Sequence, residues 1–293
     1  LGFYYSPPDL NHPAYRDTSR PSSAGWNGEP ARAEWPLYLD YMELQLSELL
    51  TKYGDVALIW FDGLRNQAKY DGRRFHDLIH RLQPATLINN RIGPLGDYDT
   101  PEGFIPKAIP TWKSPRMAGT DRTEQSVMTG AVPEAGDFRL WETCMTINGT
   151  WAYNRNDTNY KSTRQLIRML IDVASKGGNF LLNVGPTPEG TIQPEFEERL
   201  RGIGAWLQVN GDSIYGATYG PFQELPFGRS TRKGGTVYVH VFDWPSGDLE
   251  IRGMRGRVAS ASLLAGAQAL QFTQTGGVLR IKLPAQSPDP DAA

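Results

Sequence analysis

Trp60, Phe61, Asp62 and Gly63 close an apolar run, VALIWF, at residues 56–61. Side chains alternate between faces of an extended strand, so Trp60 and Asp62 share one face and Phe61 takes the other. Asp62 then stands at the C-terminal end of its strand, where barrel enzymes keep catalytic groups. Gly63 lets the chain turn away at once. A carboxylate beside an indole suits attack at the anomeric carbon of a sugar. The competing reading is a strand-end aspartate capping the next loop.

A second carboxylate lies downstream in GDYDTPE, residues 96–102. Glu102 sits on the loop after the strand that carries Asn89, Asn90 and Arg91. Two carboxylates flanking one bond are what glycoside hydrolysis needs, about 5–5.5 Å apart in a retaining enzyme and about 6.5–9.5 Å in an inverting one. Glu142, in Trp141-Glu142, competes for the second role, and could instead be a strand-end residue paired with an arginine. Asn89 and Arg91 share a face by the period-two rule and offer donors to hydroxyls or to a carboxylate. Trp151, Tyr153 and Asn154 could line a sugar pocket or simply pack. Asp97 and Asp99 have the chemistry of metal ligands, but a solvated loop is the favoured reading. His76 and His80 are spaced i, i+4 on a helix, a zinc-compatible spacing. They lack the intervening general-base glutamate, and an exposed helix face is the favoured reading there.

The bulk composition narrows the classes. The net charge of −2 gives no reason to expect nucleic acid or an anionic membrane as partner. The 8 Trp and 13 Tyr fit a carbohydrate-handling surface as well as a large core. A single cysteine, Cys144, excludes an internal disulfide and a cysteine-built zinc site. It lies in an apolar run and reads as a buried thiol. There is no apolar stretch of about 18 residues, no P-loop, no dinucleotide fingerprint and no G-x-S-x-G elbow.

These residues need elements to position them. Strands are expected at 1–5, 56–61, 86–89, 139–147 and 179–184, and helices at 37–53, 73–82, 162–175 and 195–209. A polar, proline-rich loop over 7–36 is too long for a simple connection. Repeated βα units with right-handed crossovers imply a parallel sheet or barrel. Roughly five strands are counted where a closed barrel needs eight. Because 1–6 (LGFYYS) reads as a buried strand, the shortfall is expected at the N-terminal end. After residue 217 the pattern becomes antiparallel, with strands expected at 236–242, 249–251, 259–264 and 278–283. The expected fold is an α/β (β/α)8-type barrel with its N-terminal strands missing (1–216), then a small antiparallel β-sandwich (217–286). Residues 287–293 read as a disordered tail.

At these residues the chain resembles glycoside hydrolase family 29, the α-L-fucosidases. The motifs run in order: LGFYYS, YMELQLSELLTKYGDVALIWFDG, LQPATLINNRIG with GDYDTPEGFIP, WETCMTINGTWAYN, SKGGNFLLNVGPTPEGTI and IGAWLQVNGDSIYG. The resemblance covers nearly the whole chain. It implies a retaining exo-α-L-fucosidase, with Asp62 on the nucleophile position and Glu102 on the commonest acid/base position. That position varies in the family, so Glu142 remains a second choice. Trp60 and Arg91 match residues near the bound fucose, and Tyr5 is assigned there as well. No cofactor or metal is implied. The implied partner is a fucosylated oligosaccharide or glycoconjugate; a homo-oligomer is compatible, and secretion or a periplasmic location is expected from the family.

Two departures stand out. The family's upstream HWG and KHHDGF motifs, which help hold fucose, are absent, and His12, His76, His80 and His240 match neither. Three further βα units of about 30 residues each would restore them. Ala152 stands where the family often has Gly. The absent histidines motivate an alternative, a truncated, catalytically dead fucose-binding or structural product; a barrel hydrolase for another sugar is a third reading.

Overall fold

The computed structural model describes residues 1–15, 32–63, 70–93, 95–119, 132–134, 136–222, 225–289 and 291. Of the loop expected over 7–36, residues 16–31 lie outside the described residues, as do 290, 292 and 293 of the expected tail. The chain forms two compact units: Leu1–Thr100 with Arg116–Asp121, and Pro101–Pro115 with Arg122–Ala293.

In the first unit, β1 (Gly2–Tyr5), β2 (Leu58–Phe61) and β3 (Leu87–Ile88) form a parallel sheet in that order. The β1–β2 register pairs Tyr4 with Trp60 and Tyr5 with Phe61. Helix α1 (Trp35–Lys52) precedes β2, and α2 (Gly72–Leu82) joins β2 to β3. The helix expected from residue 37 starts earlier, because Pro36 fits the first turn, where its missing N–H costs nothing. Met42, Leu46 and Leu50 of α1 recur at helical spacing and bury against Phe75, Leu78 and Ile79 of α2 and Ile59 and Phe61 of β2. Each such side chain contributes about 1.5–3 kcal/mol on burial, so this cluster fixes the height and face of β2. Gly54, with φ 75°, ends α1 as expected. Gln83 staples the end of α1 to the start of β2: its Nε2 donates to Leu50 O (2.7 Å) and Gly54 O (2.9 Å), and its Oε1 accepts from Val56 N (2.8 Å). Two short strands follow, β4 (Thr100–Pro101) and β5 (Ala118–Gly119).

In the second unit, β6 (Glu142–Thr146) and β7 (Asn179–Asn183) are parallel, with Glu142 opposite Asn179 and Cys144 opposite Leu181. Helix α3 (Thr163–Ser175) joins them and α4 (Pro194–Asn210) follows. A reciprocal capping box starts α3: Gln165 N donates to Ser162 Oγ (3.2 Å), and Ser162 N donates to Gln165 Oε1 (2.8 Å). The turn after α3 is tight. Gly177 has φ 72°, and a β-carbon at Gly178 would lie 2.3 Å from the Trp141 ring. That ring is fixed by its own Nε1–H, which donates to Lys176 O at 3.1 Å.

Two antiparallel sheets complete this unit. One holds β8 (Thr218–Tyr219), β9 (Gly228–Lys233) and β10 (Thr236–Val241); the other holds β11 (Leu249–Arg252), β12 (Phe272–Thr275) and β13 (Val278–Ile281). They share one apolar core, formed by Val241, Leu249, Ile251, Leu279 and Ile281. Strand β9, GRSTRK, has no apolar residue to reveal it. It is held by buried hydroxyls instead: Ser230 Oγ donates to Phe222 O (3.1 Å) and Thr231 Oγ1 to Ser213 O (2.7 Å). The strand expected at 259–264 is not formed; that segment makes one isolated bridge, Ser262 to Ala269. In the tail, Asp289 accepts from Asn210 Nδ2 (3.2 Å), and Arg168 Nε donates to Asp291 O (3.1 Å). No helix among the described residues is long and apolar enough to cross a membrane.

Candidate active site

The strand parity holds at β2. Trp60 and Asp62 lie on one face, while Phe61 joins the core below. Asp62 N donates to Tyr5 O at 3.0 Å, which extends the β1–β2 ladder through the acid's own backbone. Gly63 follows with φ 75°, a left-handed conformation that a side chain would strain. The carboxylate is therefore presented by a rigid strand end and a sharp exit.

Three groups hold that carboxylate. Arg91 Nη1 donates to Asp62 Oδ1 at 2.6 Å, the Tyr4 hydroxyl donates to Oδ2, and the Gly63 backbone N–H adds a third bond. Burial by itself pushes the Asp62 pKa up; the Tyr4 bond, the Arg91 charge and the Gly63 N–H outweigh it and hold the acid below the ordinary carboxylate range. The Arg91 guanidinium lies 4.3 Å from the Trp60 ring centroid, over its face. The Tyr4 ring stacks on the same indole, with centroids 5.5 Å apart and planes 16° apart. Trp60 is thus a platform that orients both of the groups bonded to Asp62.

Arg91 is itself braced. Its Nε donates to Thr100 Oγ1 (3.1 Å), and that hydroxyl donates to Asn90 Oδ1 (3.0 Å). Asn90 Nδ2 bonds Asp99 Oδ1 (3.1 Å) and Met117 O (2.6 Å), and Arg116 pairs with Asp99 at 2.7 Å. Asp99 is fully buried in this network, so it is neither a solvated loop residue nor free to ligate an ion. Asn89 is likewise buried, and its amide bonds the backbone N and O of Phe61 at 3.0 and 2.9 Å. It acts as a substitute strand neighbour and does not present donors to a ligand.

Tyr5 is placed on the opposite face from Asp62. Its hydroxyl donates to Gln45 Oε1 at 2.7 Å, its ring meets Phe61 edge-on, and burial pushes its phenol pKa up. It lines a cleft of about 460 Å³ with Pro8, Asp9, Tyr38 and Gln45, a cleft that Asp62, Trp60 and Arg91 do not line. Tyr4, exposed at the end of β1, is the tyrosine that reaches Asp62. The register of β1 on β2 decides this, and the dipeptide Tyr4-Tyr5 offers a phenol to either face.

Glu102 and Glu142 belong to the second unit. Glu102 is half-buried and held by backbone: it bridges to Cys144, Gly103 N donates to Cys144 O (3.0 Å), and Thr143 Oγ1 donates to Phe104 O (2.6 Å). Glu142 is buried at the first position of β6 and accepts from Asn179 Nδ2, its register partner on β7. Its cross-strand partner is an amide. Arg139, fully buried, donates to Ser114 O (2.8 Å) and Pro115 O (2.6 Å). Cys144 is buried, as expected. Trp151 is exposed on a loop tied down by Asn183, whose Nδ2 donates to Trp151 O at 2.7 Å.

A family profile described as Alpha-L-fucosidase matches residues 1–212. Tissue alpha-L-fucosidase of Homo sapiens is 38% identical over 218 residues, which is 69% of this chain and 41% of that protein. Alpha-L-fucosidase of Branchiostoma floridae is 38% identical over 158 residues, 50% of this chain and 35% of that protein. Among solved structures, Alpha-L-fucosidase isoenzyme 1 from Paenibacillus thiaminolyticus superposes with a TM-score of 0.81 at 33% identity, covering 99% of this chain and 70% of that one. Thermotoga maritima alpha-fucosidase, solved in complex with fucose, superposes with a TM-score of 0.63 at 28% identity, covering 85% and 53%. The chain belongs to the alpha-L-fucosidase family. It spans well under half the length of either curated relative.

Proposed function

We propose that this protein is a retaining exo-α-L-fucosidase that releases terminal α-L-fucosyl residues from glycans by double displacement. The observation that carries the reading is the Asp62 carboxylate, kept ionised at a strand end between the Tyr4 hydroxyl and Arg91. In the first step an Asp62 oxygen attacks the anomeric carbon, the glycosidic bond breaks, and Glu102 gives its proton to the departing oxygen. In the second step Glu102 takes a proton from water, which attacks the same carbon and frees Asp62 from its fucosyl ester. Tyr4 and Arg91 hold the carboxylate in place and share the negative charge it regains when the ester is cleaved. Trp60 offers an apolar face to the sugar ring.

Glu102 is preferred to Glu142 on position. In a (β/α)8 barrel, which family membership and the parallel βα units support, catalytic groups stand at the C-terminal strand ends. Glu142 opens β6 at its N-terminal end and is already engaged by Asn179. The proposed division follows the change of pattern: barrel residues to 216, then a β-sandwich over 217–286 whose two sheets share a core.

The test is to incubate the purified protein with 2-fluoro-fucosyl fluoride and map the adduct by peptide mass spectrometry. The expected result is one fucosyl-type ester on the peptide containing Asp62. An adduct on another carboxylate overturns the assignment. Hydrolysis of an aryl α-L-fucoside with inversion, read by proton NMR, overturns the retaining mechanism.

A further inference from the structure

Helix α2 carries His76 and His80 one turn apart, and their rings meet edge-on with centroids 4.5 Å apart. Facing them is Asp97, whose Oδ2 lies 3.5 Å from His80 Nε2. One ligand atom from each of the three residues can be chosen so that all lie within 4.8 Å of one another. No other such group occurs among the described residues. All three are half-buried, so the cluster is open to an ion from solvent.

Each side of the cluster is held in place. Asp97 is fixed twice to Ile88: Asp97 N donates to Ile88 O (2.7 Å), and Ile88 N donates to Asp97 Oδ2 (2.7 Å). His76 Nδ1 lies 2.9 Å from Asp77 Oδ1. A carboxylate on one ring nitrogen fixes the tautomer and leaves the other nitrogen free to ligate, the usual outer arrangement at a metal-binding histidine. A simple His80–Asp97 ion pair does not account for His76, and at 3.5 Å with both partners partly exposed it contributes little.

We propose that His76, His80 and Asp97 bind one divalent transition-metal ion of the zinc type. Two imidazole nitrogens and one carboxylate oxygen suit zinc, whereas magnesium and calcium favour all-oxygen shells. Zinc ligands at about 2.0–2.1 Å stand roughly 3.4 Å from one another in a tetrahedron, so small rotations of the two rings close the site and water takes the fourth position. The ion would cross-link α2 to the loop in which Thr100 bonds Arg91 and Asp99 bonds the neighbouring Asn90. The site is thus tied to the Asp62 constellation through structure, without touching the sugar. The proposal does not depend on the fucosidase reading, since its readout is binding.

The experiment is isothermal titration calorimetry of the purified full chain at neutral pH with zinc chloride, and separately with magnesium chloride. The expected result is saturable uptake of one zinc, no magnesium uptake, and a zinc-dependent rise in Tm that EDTA reverses. His80→Ala should weaken zinc more than about 100-fold, and Asp77→Asn, which removes only the outer carboxylate, by about tenfold. His12→Ala, away from the cluster, should leave affinity unchanged. Circular dichroism in EDTA checks that each variant is folded. Absence of saturable zinc uptake by the unmodified chain overturns the proposal, and so does unchanged affinity in folded His76→Ala/His80→Ala.

Discussion

The Tyr4 hydroxyl donates to Asp62 Oδ2, opposite the oxygen that Arg91 holds. The bond lowers the energy of the ionised acid and so lowers its pKa. Tyr4→Phe removes that contribution, and Asp62 then keeps its proton to higher pH. The acidic limb of kcat/KM should therefore move toward neutral pH, with less activity left at the acid end. Tyr5→Phe, on the other face, should leave the limb in place. A limb that moves with Tyr5→Phe and not with Tyr4→Phe would reverse the assignment.

The two glutamates separate by leaving group. Glu102→Ala should cut turnover of natural fucosides far more than that of aryl fucosides with good leaving groups, since only the former need a proton donated. Glu142→Ala should lower Tm with no such leaving-group dependence, because it removes the acceptor of the Asn179 bond between β6 and β7. Initial rates on a leaving-group series, beside melting curves, distinguish these outcomes.

Asn89→Ala leaves the Phe61 N–H and C=O without the side-chain partner that now satisfies both. Buried unpaired backbone groups cost about 1–3 kcal/mol each. Chemical denaturation should show a loss of roughly 2–4 kcal/mol, with unchanged m-value. A loss below about 0.5 kcal/mol, within the range of ordinary surface substitutions, would mean that β2 finds another partner there.

His240 is buried, with Thr231 Oγ1 3.4 Å from its Nε2, and burial pushes its pKa down from 6.5 to about 4. As pH falls below 6.5, the unfolded chain binds a proton here that the folded chain refuses. Stability therefore declines between pH 6.5 and about 4 and gains no further slope from this residue below that. The contribution is about 3 kcal/mol across the window. His240→Gln should flatten the pH dependence of stability by about one proton in that range. An unchanged slope would show that His240 is protonated in the folded state.

Much of the site was legible because strand periodicity is local. The alternation of Trp60, Phe61 and Asp62 follows from the pleat, and the apolar run of β2 announces a strand covered on both faces. The choice between Tyr4 and Tyr5 needs the register of β1 on β2, which no local pattern in a Tyr-Tyr pair reveals. Asn89 reads as a ligand donor in the sequence because an amide looks the same whether it faces solvent or a backbone. Strand β9 is hidden in the sequence because its buried positions hold Gly228, Ser230 and Thr231, while 259–264 has strand-like residues that pair only briefly, with 268–270. Asp97 and Asp99 look alike within their loop; only the fold sends one inward to Arg116 and the other toward the α2 histidines.

Gly178 lies against Trp141 so closely that no β-carbon fits between them. The indole cannot swing aside without releasing its bond to Lys176. The constraint runs one way: a lineage that acquires a side chain at 178 must shrink the ring at 141 in the same step or lose the turn into β7. Descendants of this gene that keep the indole should therefore keep the glycine, and a chain with Trp at 141 and a side chain at 178 would mark a site where the backbone of that turn has been rebuilt.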